Sequence, residues 1–173
     1  MYIFLSFSGI LIFIEDVRTR LVTVWKILLI IAVSLGICAY SITDLDLFLK
    51  TILLNISVIL IIYFSLVIFY FFKEKKFNFA LKNKAGLADA LLFVAPAICF
   101  SNVLFLYFIL LSVLGALIYS IFLFIVRRKS ENKITIPLAG ICSLLFCISI
   151  IALEIFKIDR FDNAALFEKF MLP

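Results

Sequence analysis

The sequence predicts an all-α polytopic membrane protein with six transmembrane helices and both termini on the outer side (N-out/C-out). Three observations lead there. Of 173 residues, 66% are apolar and 16% charged, against about 45–50% and about 25% in a soluble domain. The apolar residues gather into six runs separated by short polar stretches. The basic residues fall in every second stretch. A mean hydropathy of +1.30 excludes a soluble enzyme, a disulfide scaffold and a disordered chain together.

The runs follow in order. Residues 1–14 form the first, closed by Glu15 and Asp16. No basic stretch precedes it and no small-x-small site follows, so it reads as a retained helix rather than a signal peptide. Residues 27–42 form the second. The third and longest covers 47–72, with Lys50 near one end where it can snorkel. The fourth, 85–100, is interrupted by Asp89 and kinkable at Pro96. Ser101 and Asn102 make a minimal turn into the fifth, 103–126, and 134–153 is the sixth. Two stretches are not spans. Residues 73–84 mix lysine with Phe77, Phe79 and Leu81, as expected of an inner interfacial segment. Residues 155–173 alternate charge with Phe161, Phe167 and Phe170, as expected of an outer interfacial helix. The chain thus divides into a six-helix membrane domain, 1–154, and a tail, 155–173.

Loop charge sets the orientation. The first connection carries Arg18, Arg20 and Lys26; the third, Lys73, Lys75, Lys76, Lys82 and Lys84; the fifth, Arg127, Arg128, Lys129 and Lys133. Together these are most of the sixteen Lys and Arg, and positive loops stay cytoplasmic. The expected location is therefore the cytoplasmic (inner) membrane, crossed several times. The net charge of +5 is read as topology and lipid contact, not as a nucleic-acid surface.

The chemical inventory is narrow. There is no His, and Cys38, Cys99, Cys142 and Cys147 lie singly in apolar runs, as small buried hydrophobes do. No metal site and no cofactor are expected. Most acidic residues lie in loops, but Asp89 sits four residues into an apolar run, where a carboxylate costs several kcal/mol. Asp16 closes the first run. With 1.5 Å rise per residue, Asp16 lies roughly 22 Å from the outer end of its helix and Asp89 roughly 18 Å before the Ser101 turn. The two carboxylates thus share one depth near the cytoplasmic edge. Taken alone, Asp16 reads as a helix-end residue beside Arg18 and Arg20, and Asp89 as a helix N-terminal acid favoured by the dipole. Taken together they read as a dyad sharing one proton, because like charges at close range cannot both ionise. Such a pair hydrolyses peptides without His, Ser or metal.

Gly86-Leu87-Ala88-Asp89 resembles the GxGD motif of intramembrane aspartyl proteases, in a GxAD form. Asp16-Val17-Arg18-Thr19-Arg20 at the end of the first run, GxAD opening the fourth and Ile136-Pro137 opening the sixth are together similar to the type IV prepilin peptidases. The match is to the short form, without the methyltransferase module and its paired C-x-x-C. Ala88 stands where many members have Gly, and Leu91 where many have Lys. The Pro usual after the first motif is replaced within Leu21-Val22-Thr23. The resemblance implies an aspartic-type endopeptidase of type IV pilus or protein-secretion systems, with Asp16 and Asp89 catalytic. Its substrate would be a pilin-like precursor, cut just after a Gly at the cytoplasmic face. Gly86, Ala88 and Pro137 are the expected substrate contacts, the first two offering no large side chain to an extended peptide. The rival reading is a non-enzymatic six-helix substrate-binding subunit of a transporter, with Asp89 binding a cation or amine and Asp16 only capping a helix. A third, a purely structural membrane protein, makes both aspartates dispensable.

Overall fold

The computed structural model describes residues 2–19, 22–42, 44–74, 87–126, 138–157 and 160–161. Among these every regular element is helical. In chain order they are α1 (Tyr2–Thr19), α2 (Val24–Ser41), α3 (Leu45–Glu74), α4 (Leu87–Leu92), α5 (Val94–Cys99), α6 (Asn102–Val126) and α7 (Leu138–Ile155). Among the described residues, three stretches are long and apolar enough to cross a bilayer: Leu45–Phe69 of α3, Asn102–Ile125 of α6 and Leu138–Ile155 of α7. The apolar stretches Val24–Tyr40 and Ala90–Cys99 are shorter.

The surface is inverted relative to a soluble globule. Leu53, Ile61, Phe72, Ile118 and Phe124 are among many large apolar side chains turned outward, while Asp16, Asn55, Ser143 and Arg160 are buried. Lipid is as apolar as leucine, so burying leucine gains little; polar contacts and close packing hold such helices together. This arrangement is consistent with a helical membrane protein.

Two element ends differ from the sequence expectation. Glu15 and Asp16 do not end the first helix, which continues to Thr19, because both carboxylates find partners. The fourth run breaks at Phe93, between α4 and α5, rather than at Pro96. A proline ring clashes with the carbonyl four residues earlier, here that of Leu92, so the helix gives way just after that residue. The helix resumes as α5, with Ala97 N–H donating to the Phe93 carbonyl at 3.1 Å.

The short α5 is the centre of the half expected from loop charge to face outward. Its residues from Ala95 to Cys99 are buried and it packs on α2, α3, α4 and α6. Ser101 N–H, which could have closed its last turn, donates instead to the Arg160 carbonyl at 2.8 Å. Asn55 of α3 supplies the missing donor: its amide reaches the Ala97 carbonyl at 3.0 Å and that of Phe100 at 2.9 Å. Phe100, Phe108 and Phe146 stack edge-on or tilted beside it, ring centres 5.6–6.2 Å apart. Cys38 and Cys99, separate in the sequence, meet here with Sγ atoms 3.2 Å apart.

The tail lies only partly within the described residues. Phe156 and Lys157 form a turn, with Lys157 at φ 52°, within the stretch expected as an outer interfacial helix. Arg160 is hydrogen-bonded to Tyr2 and Glu154, and the Phe161 ring meets that of Phe48 edge-on at 5.6 Å. Residues 162–173, and residues 75–84 of the stretch expected at the inner interface, lie outside the described residues.

Candidate functional site

The site is built on the antiparallel seam between α1 and α7, whose register follows from its contacts. Cys147 Sγ lies 3.3 Å from the Leu5 carbonyl, and Ser143 Oγ 3.1 Å from that of Gly9. The same hydroxyl is 2.8 Å from the Gly140 carbonyl in its own helix. Gly9, Gly140, Ser143 and Cys147 thus line the seam with little side-chain bulk, which lets two backbones approach closely.

At the end of that seam called inner after the orientation expected from loop charge, opposite the outer end at Tyr2, lies Asp16, only 6% exposed. Its Oδ2 accepts the backbone N–H of Gly140 at 2.7 Å. Gly140 is the third residue of α7, and the first N–H groups of a helix have no partner within it. Asp16 therefore caps α7 from another helix, at the end where the peptide dipoles favour negative charge. Glu15, one residue earlier, points elsewhere. It accepts from Lys26 Nζ at 2.9 Å and from Thr23 Oγ1 at 3.2 Å, closing the turn into α2. Lys26 holds the Glu15 carboxyl below its usual value, with Thr23 adding to the effect. Two adjacent acids thus serve two different helices.

Asp89 and Ala88 lie on α4, described through their backbone; Gly86 and Pro137 lie outside the described residues. Helix α4 packs against α2 and α7, the same two helices that flank α1. The two aspartate-bearing helices therefore share these two neighbours, and α4 packs on α5 as well. Among the described residues, no group of three or more His, Cys, Asp or Glu is arranged to hold a metal ion.

No family model, curated protein or solved structure matches this chain.

Sequence reasoning missed two features. One is Gly140, whose signal in the sequence is a glycine three residues after a proline, with Cys147 seven residues on. The Tyr2–Glu154–Arg160 cluster at the other end of the seam was also missed, its members being separated by most of the chain. There Arg160 Nη2 donates to Tyr2 Oη and to Glu154 Oε2, both at 2.7 Å, and Tyr2 donates to Glu154 at 2.8 Å.

Proposed function

We propose that this protein is a membrane aspartyl endopeptidase of the prepilin-peptidase type, with six membrane-crossing helices, both termini outside, and Asp16 and Asp89 as its catalytic pair. The observation that carries the reading is a buried carboxylate, Asp16, held at the start of α7, while the helix bearing Asp89 packs on the same two neighbours. In this reaction one carboxylate takes a proton from water as the oxygen attacks the scissile carbonyl. The other donates its proton to the carbonyl oxygen. Collapse of the tetrahedral intermediate breaks the C–N bond, and the amine leaves with a proton returned by the pair. The substrate is a pilin-like precursor whose apolar helix lies in the membrane and whose leader stays on the cytoplasmic side, near the level of Asp16. The resident membrane in this reading is the inner one, with the basic loops inside.

The competing reading is a non-enzymatic binding subunit in which Asp16 is a helix cap and nothing more. The bond to Gly140 gives it a specific footing. Asp16→Asn separates the two, because an amide oxygen still accepts the Gly140 N–H but cannot serve as a base. Processing of a co-expressed precursor with a basic leader, a Gly and an apolar helix is read as a size shift, with the new N-terminus sequenced. The peptidase reading expects Asp16→Asn and Asp89→Asn each to stop cleavage, and cleavage by the unmodified protein to survive strong chelators. Normal processing by Asp16→Asn would leave only the cap.

A further inference from the structure

We infer that Gly140 is a positioning residue for Asp16, so that the first turn of α7 sets the orientation of a catalytic carboxylate and requires glycine to do so; this rests on the peptidase reading above. The amide that fixes Asp16 belongs to Gly140 itself, at 2.7 Å from Oδ2. A Cβ at this position would lie 3.2 Å from that same oxygen, 3.2 Å from the Phe13 Cα and 3.2 Å from Phe13 Cδ2. The Phe13 Cα is backbone and cannot rotate aside. The groups that can give are the Phe13 ring and the Asp16 carboxylate, so an added methyl shifts Asp16 relative to its amide by a few tenths of an ångström. The turn that holds the amide is itself tied down, because the Ser143 hydroxyl sits between the carbonyls of Gly140 and of Gly9 on α1.

Gly9 provides the internal control. It lies on the same seam, and a Cβ there would meet Cys147 Sγ and, at 3.2 Å, the Ser143 carbonyl. No carboxylate is touched, and Asp16 is seven residues away, about 10 Å along the axis. If close packing were the only use of these glycines, substitution at either would cost folded protein and leave the turnover of what folds unchanged. If Gly140 positions Asp16, its substitution reaches kcat and that of Gly9 does not.

The test is steady-state cleavage by the purified full chain of a synthetic probe carrying a basic leader, a Gly and an apolar helix, with the folded fraction measured beside it. For Gly140→Ala the expected result is a fall in kcat of about tenfold with KM held within about twofold, the pattern of a misaligned reacting group. Gly9→Ala combined with Cys147→Ala, which makes room for the methyl, is expected to keep the unmodified kcat per folded molecule. Ser143→Ala adds no volume and loosens the same turn, so it decides the matter if Gly140→Ala does not fold; kcat is expected to fall about threefold at constant KM. An unchanged kcat in Gly140→Ala, or in Ser143→Ala where the former is unfolded, overturns the inference and leaves the peptidase reading standing. Equal losses of kcat at both glycines do the same. A probe left intact by the unmodified protein removes the peptidase reading, and the role of Gly140 with it.

Discussion

The two ends of the α1–α7 seam are joined by different chemistry. At the outer end three side chains satisfy one another: Tyr2, Glu154 and Arg160 form a closed triangle of hydrogen bonds. The Arg160 side chain is 7% exposed and that of Glu154 is 54% exposed, so the acid keeps much of its water. At the inner end a carboxylate buried to 6% exposure faces a backbone amide. A Ser, Thr or Asn would cap a helix about as well as Asp, and would not bring a charge into an apolar setting. The outer end is therefore explained by holding the helices together. The inner end places a carboxylate where a neutral cap would also hold the helix, and catalysis is the use the peptidase reading gives it.

That contrast breaks most sharply on activity. Asp16→Asn and Asp89→Asn are each expected to lower precursor cleavage by about 10²–10⁴-fold, and the double variant to be no worse than either single one, since members of one catalytic unit are not additive. Asp16→Asn is expected to fold normally because the amide oxygen still accepts from Gly140. Cleavage assays normalised to folded protein check both points. A double variant far below the singles would mean that the two residues act separately.

At the outer half the expected losses are of stability alone. Asn55→Leu keeps the volume but leaves the Ala97 and Phe100 carbonyls without their donor, at a cost of about 1–3 kcal/mol. Thermal unfolding in detergent reads the loss, and cleavage per folded molecule should not change. Arg160→Met should cost less, about 1–2 kcal/mol. Glu154 stays in contact with water when its partner is removed, and Arg160 Nη1, which has no hydrogen-bond partner among the described residues, no longer has to be buried. Loss of cleavage in Arg160→Met would mean that the two ends are coupled along the seam.

Much of the architecture could be read from the apolar runs, and the reason it could is also why the seam could not. All six runs contain described helices, as expected where a helix lets the backbone satisfy its own polar groups in an apolar setting. The same uniform hydrophobicity hides which face of each helix points inward. In a soluble helix a polar stripe marks the outside; here Leu53 and Ile61 face out as readily as Ile59 faces in. The inward face of α1 is betrayed only by small and polar residues, Ser8, Gly9 and Asp16. The kink was legible as a proline but was expected at Pro96, where its effect falls on the carbonyl one turn back. Asp16 was visible as a misplaced charge; its partner was not, because a backbone amide leaves no trace in the sequence.

The smallest expected effect separates the two neighbouring acids of the inner end. Glu15 is drawn below its usual carboxyl range by the Lys26 ammonium and then by Thr23. Its folded value is lower than its unfolded value, so its contribution to stability is fully present above the unfolded value of about 4.3. That contribution is lost as pH falls through the folded value. The pair is partly solvated, with side-chain exposures of 17% for Lys26 and 20% for Glu15, which limits the contribution to about 0.5 kcal/mol. Glu15→Gln should therefore unfold slightly earlier than the unmodified protein at pH 7, and the gap should close on acidification below the ordinary carboxyl range. Other carboxylates titrate in both proteins and cancel in the difference. Cleavage at pH 7 should be unchanged, because Glu15 serves the start of α2 while Asp16 serves the start of α7. A Glu15→Gln variant that folds but no longer cuts would show that the α1–α2 turn, and not the α1–α7 seam, positions the reacting carboxylate.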